Sequence, residues 1–314
     1  MVGINVCATL GGNTGRGGCE VRMKAIRYLL FSKGKVFSAS ELASAATLKA
    51  AILAALLLPR TDPNKMYCFP LMRVVDDNTP EAKTETLVDG YEEVLNESLP
   101  TYTLQSTAGT CQADAMVLFN GWTDYVYAID IDRVMWLVSD GGTGATGWTT
   151  GSLYTNPARF GNSSNIVTSK TKLVFGTVDE FKGKKVALKI DFDPTKLVNI
   201  VDVQLAEAIP GTGYAFKIAG AQVCAGTDIY AAYKTLLDQT GAWKATRLDT
   251  NAAVTVSSAA HDDTNLAWTI TLASSPTIAA STQIKIELVD PTALAALTTP
   301  VKGIDSLAVI ALKP

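Results

Sequence analysis

Ala267-Trp268-Thr269-Ile270-Thr271-Leu272 and, shortly after it, Gln283-Ile284-Lys285-Ile286-Glu287-Leu288 are the two stretches on which the fold turns. In both, large apolar side chains alternate with polar ones. An extended chain then puts Trp268, Ile270 and Leu272 on one face, and Ile284, Ile286 and Leu288 on another. A strand with one wet face needs a second sheet against its dry one. Four more candidate strands surround these two, at 214–219, 243–248, 254–258 and 307–312, so the pattern is that of a two-sheet sandwich. A helix capped by Thr227 is expected over 227–237. The break at Ile209-Pro210-Gly211-Thr212-Gly213 places the boundary within 201–213, and the C-terminal domain is taken as 203–314.

Upstream, the expected domain at 19–202 is also mostly β with minor α. The segment 20–31 suits a strand, followed by a helix over 39–58. Ser38 and Glu41 form a capping box for that helix, and Pro59 marks its stop. Its body is so rich in Ala and Leu that it should be covered on most sides, by its own domain or by a neighbouring subunit. Strands are expected at 67–75, 84–95, 102–104, 173–178 and 185–192, and a short helix at 112–119. The stretches 125–131 and 134–138 flank Asp132-Arg133 as a hairpin, with an unusual two-residue loop that lacks Gly and Asn. From Asp140 to Asn165 the composition turns to Gly, Thr, Ser and Asn, which reads as a long loop suited to partner contact. The opening residues 1–18, with Gly11, Gly12, Gly15, Gly17 and Gly18, read as a flexible arm that orders only against a neighbour.

Composition narrows the function classes. Hydrophobic residues at 47% against 18% charged indicate an ordered chain, and a net charge of -3 lacks the basic surplus of a phosphate-backbone binder, so DNA is at most passive cargo. The five cysteines, Cys7, Cys19, Cys68, Cys111 and Cys224, have no ligand-like spacing and an odd count, and read as reduced thiols. No basic and apolar leader follows Met1, and the longest apolar run, 50–58, is about half of a membrane span, so no membrane insertion is expected.

No catalytic, cofactor-binding or metal site emerges, and the chain is read as a non-enzyme. His261, the only histidine, sits with Asp262 and Asp263 in what reads as a solvated turn, with a cation site across a subunit contact as the sharper alternative. The opening glycines lack the Lys-Ser/Thr of a phosphate loop, and Arg16 does not replace them. Asp140-Gly141-Gly142-Thr143-Gly144 matches a dinucleotide fingerprint only in glycine content. Asp130 and Asp132 flank a turn rather than joining Asp140 in a cluster, and Asp76-Asp77-Asn78-Thr79-Pro80 reads as a loop with Asx-type hydrogen bonds.

The run from Asp77 to Leu95, centred on Gly90-Tyr91, resembles a strand, Gly-Tyr, strand segment of structural proteins of tailed phages, and 125–137 with its Gly/Thr continuation is similar to the same family. The resemblance implies a tail-tube-like or ring-type β domain with a flanking helix, whose edge strands pair between subunits. It also implies that the C-terminal portion is an immunoglobulin-like β-sandwich on the outer surface. Ring and head-auxiliary proteins of gut Bacteroides phages, the crAss-like group among them, are similar in the same way. The expected function is a virion structural subunit, assembled in the host cytoplasm, whose partners are itself and other virion proteins. The alternative is a head-decoration or adhesin-like protein whose C-terminal domain binds a surface glycan.

Overall fold

A computed structural model describes residues 5–6, 23–86, 88–89, 91–106, 109–157, 169–197, 200–224, 226–275 and 277–313. The chain is mostly β and divides into two compact units, Met1–Leu56 with Arg60–Leu197, and Leu57–Pro59 with Val198–Pro314. The division therefore falls just before Val201–Thr212. That segment is a single strand rather than a break, and Pro210-Gly211 lies at a register irregularity near its end. Of the expected arm, only Asn5–Val6 is described. It pairs with Ala187 and Val186 of the same chain, because an open strand edge accepts any main chain that reaches it.

In the first unit a large sheet curls around a core of Leu29, Phe31, Val126, Trp136, Trp148 and Phe175. The strand Tyr125–Asp130 is its centre, lying against Ile26–Ser32 on one side and sharing the other between Val134–Ser139 and Trp148–Thr155. Trp148–Thr155 overturns the long loop expected over 140–165. The chain makes a tight turn at 140–144, returns as Ala145–Thr146, and then runs through the middle of the sheet. Thr, Trp and Tyr are strand formers, and Trp148, Thr150, Leu153 and Thr155 are buried. Gly151 marks a bulge between Thr150 and Ser152, where a Cβ would lie 3.1 Å from the Phe175 carbonyl oxygen. A bulge bends the strand it interrupts, and this one sits where the sheet curls. Residues 158–165 lie outside the described residues.

The flanking helix is Ala45–Leu56, a turn and a half shorter at its start than expected. The Ser38 box forms, with Ser38 N–H donating to Glu41 Oε2 at 2.8 Å, but it caps one isolated turn. A second reciprocal pair, Ser44 with Thr47 at 3.0 and 3.1 Å, starts the helix proper. Leu48, Ile52, Ala55 and Leu56 form one buried stripe, while Ala46, Lys49, Ala50 and Ala54 are exposed. Alanine supplies the apolarity through helix propensity, and within its own chain the helix is covered along one face.

The second unit has nine strands among its described residues. The first is Val201–Thr212, and Ala215–Gln222, Trp243–Arg247, Ala253–Val254, Val256–Asp262, Ala267–Leu272, Gln283–Leu288, Ile304–Leu307 and Val309–Leu312 follow in order. One sheet has the order fifth, sixth, second, first, eighth; the other fourth, third, seventh, ninth. The two sheets share one core, in which Phe216, Trp268 and Ile270 of the first meet Trp243, Ile284 and Ile286 of the second. The first and eighth strands are parallel, and the chain then crosses to the opposite sheet as the ninth. This is a Greek-key sandwich with immunoglobulin-like strand order. The expected helix at 227–237 is reduced to Tyr230–Tyr233, entered through Asp228, whose carboxylate accepts the Tyr230 N–H at 2.7 Å, rather than through Thr227.

Cys111 and Cys224 are each in a disulfide, which corrects the expectation of five reduced thiols. An odd count excludes complete pairing within one chain but not partial pairing.

Candidate interaction surface

The acidic side chains that the sequence brings to notice do not converge. Asp130 is buried at the corner of the Tyr125–Asp130 and Val134–Ser139 hairpin, where its carboxylate accepts the N–H groups of Asp132 (2.9 Å) and Val134 (3.0 Å) and the indole N–H of Trp136 (2.9 Å). The loop is three residues long, not two. The Arg133 N–H donates to the Asp130 carbonyl at 3.1 Å and Arg133 takes a φ of 59°, the left-handed closing position of that loop type. Asp132 instead pairs with Lys24, and Asp140 accepts the Gly142 N–H at 2.8 Å.

His261 lies on the edge strand Val256–Asp262, opposite Trp268, rather than in a turn. Its Nδ1 is 2.6 Å from Asp238 Oδ2. Asp262 pairs with Lys217 at 2.8 Å and accepts from the Asn265 side chain, and these two contacts hold its carboxyl well below the usual range. Asp263 accepts the Tyr230 hydroxyl at 2.8 Å and Lys234 at 3.2 Å. Burial first, and Asp263 second, push the Tyr230 phenol up to about 12. Each carboxylate thus has its own partner, and among the described residues no three His, Cys, Asp or Glu side chains could hold a metal ion.

The feature without such closure is the hairpin Lys83–Thr86 and Glu92–Asn96. Among the described residues it is a sheet of its own, paired with no other strand, and every residue of Lys83–Thr86 is exposed. Its base is fixed. Asn78 donates to the Thr101 carbonyl and to Thr103 Oγ1, both at 2.8 Å, Thr79 Oγ1 donates to Asp77 at 2.6 Å, Ser98 donates to the Glu81 carbonyl, and Lys182 pairs with Glu97. Beyond the base, Val88 is fully exposed and Tyr91 is 73% exposed. Residues 81–97 hold six of the chain's thirty acidic residues and one of its twenty-seven basic ones. Glu85 stands directly opposite Glu93, a like-charge pair that destabilises a two-stranded sheet already marginal by itself.

The strands from which the hairpin springs, Met72–Asp77 and Thr101–Ser106, continue the curled sheet through Ser169–Phe175 to Trp148–Thr155. Leu104, Leu153, Leu173 and Phe175 point into the core. The alternate positions face outward: Val74 is 44% exposed, Tyr154 is 52% exposed, and Lys170 and Lys172 are exposed between them. Tyr154 is directly opposite Lys172, and Lys172 opposite Thr103. The alternation Ser169-Lys170-Thr171-Lys172-Leu173 was the sequence signal for this face. The expected strand at 173–178 begins short of it, and Tyr154 falls within the expected loop at 140–165.

No family model matches the chain, and no curated protein matches its sequence.

Proposed function

We propose that the protein is a structural subunit of a phage particle that assembles with copies of itself into a ring or tube. The observation that supports this most directly is the solitary hairpin, which displays Val88 and Tyr91 beyond a hydrogen-bonded base. A two-stranded ribbon with opposed glutamates and an apolar tip is marginal by itself, and becomes stable when another surface covers it. The same unit offers an open sheet face for such contact. On the sandwich, the exposed large apolar side chains described are aliphatic, Leu307, Ile310 and Leu312 among them. Glycan-binding faces are built on exposed aromatic rings, so the subunit reading is preferred to the adhesin. Negative-stain electron microscopy and native mass measurement of the purified chain test the proposal. Closed rings or tubes are the expected result, and a strictly monomeric protein at high concentration overturns it.

A further inference from the structure

We infer that the acidic hairpin of one copy docks on the outer face of the four-stranded region of a second copy, with Glu85 and Glu93 facing Lys170 and Lys172 and the tip residues Val88 and Tyr91 covering Tyr154. This rests on the self-assembly reading and names the two surfaces that carry it.

Three observations select a second copy as the occupant. The first is charge. The hairpin concentrates acid so strongly that the rest of the chain is slightly basic, and the only charged residues described on the central strands of the open face are Lys170 and Lys172. Asp76 also faces outward, but on the outermost strand, two strands from the lysines and so about 10 Å away. The second is apolar matching, since both surfaces expose a tyrosine and a valine beside their charges: Tyr91 and Val88 on the hairpin, Tyr154 and Val74 on the sheet. The third is that the hairpin does not fold back on its own sheet. Val88 is fully exposed, and Tyr154 and the two lysines are open to solvent.

The contact is heterologous, because the two surfaces are different patches of one subunit. Repetition closes into a ring where the rotation allows it, and runs on as a filament where it does not. Docking also removes the repulsion between Glu85 and Glu93 by placing a cation near each, so the hairpin is stabilised by the association it drives.

Charge reversal on the full chain is the test, read by sedimentation velocity. Lys170→Glu with Lys172→Glu, or Glu85→Lys with Glu93→Lys, should each weaken self-association at least tenfold. Mixing the two reversed proteins should restore it, because each then offers the surface that the other needs. Combining all four changes in one chain should restore it as well. Should a reversed protein fail to fold by circular dichroism, the neutral pair Lys170→Gln and Lys172→Gln, together with the salt dependence of wild-type association, replaces it. Added salt should then weaken association. Wild-type assembly that ignores both reversals, or is insensitive to salt in the replacement experiment, overturns the docking inference and leaves self-assembly standing. A wild-type chain that never associates overturns both.

Discussion

Two hairpins of the same unit use acidic side chains in opposite ways. In Tyr125–Asp130 and Val134–Ser139, one carboxylate lies 1% exposed and accepts three N–H groups, so its charge is matched inside the fold. In Lys83–Thr86 and Glu92–Asn96, Glu85 and Glu93 are exposed and oppose each other across the ribbon. The first arrangement closes a hairpin on itself, since hydrogen bonds to a buried charge hold the corner and align Trp136 with the core. The second leaves an unmet demand for positive charge on a rigid base. The same motif thus serves stability where its charge is satisfied and association where it is not.

The sharpest break of this contrast is on the core side. Trp148 is fully buried, with its ring centroid 4.1 Å from that of Phe181, and it lies in the stretch that composition alone assigns to a loop. Trp148→Ala should destabilise the first unit by about 3–5 kcal/mol in chemical denaturation, the range for emptying a large core site. A change near zero would return the segment to the surface. Next in size, Asp130→Ala leaves three donors without an acceptor and should lower stability by roughly 2–4 kcal/mol. Asp130→Asn, which keeps an acceptor oxygen, should do less harm.

These residues also show what the sequence could convey. Period-two alternation made the sandwich legible, because Trp268, Ile270, Ile284 and Ile286 each face a single core and nothing interrupts their strands. Trp148–Thr155 was not legible. It changes partners part-way along, and the bulge at Gly151 shifts the alternation by one, so its pattern mimics a polar loop. The segment 84–95, expected as one strand, is two short strands, Lys83–Thr86 and Glu92–Asn96, and their isolation was not legible because the lack of a neighbouring strand is a tertiary fact. Lys170 and Lys172 become a site only when their strand is placed beside Tyr154.

A third hairpin, Val256–Asp262 with Ala267–Leu272, lies between the two extremes and gives a smaller effect. Lys217 and Asn265 hold the Asp262 carboxyl well below its usual range, so its folded value lies under its unfolded one. The stability this provides is complete above about pH 4, the ordinary aspartate value, and is lost as pH falls further toward the folded value. Thermal melts of the second unit should therefore be flat from neutral to mildly acidic pH and decline below that. Asp262→Asn should flatten the acid limb.

The smallest effect on folding is expected where the effect on assembly is large. Glu85→Ala with Glu93→Ala removes an exposed like-charge pair from a ribbon that forms a sheet of its own. The monomer should change by no more than about 0.5 kcal/mol, and the ribbon itself should gain slightly, since directly opposed like charges are unfavourable. Association, in contrast, should fall, because the two charges meant for a partner's lysines are gone. Denaturation and sedimentation of the same sample separate the two quantities. A marked loss of monomer stability would show that the glutamates are matched within the subunit, as Asp130 is, and the distinction between the two hairpins would collapse.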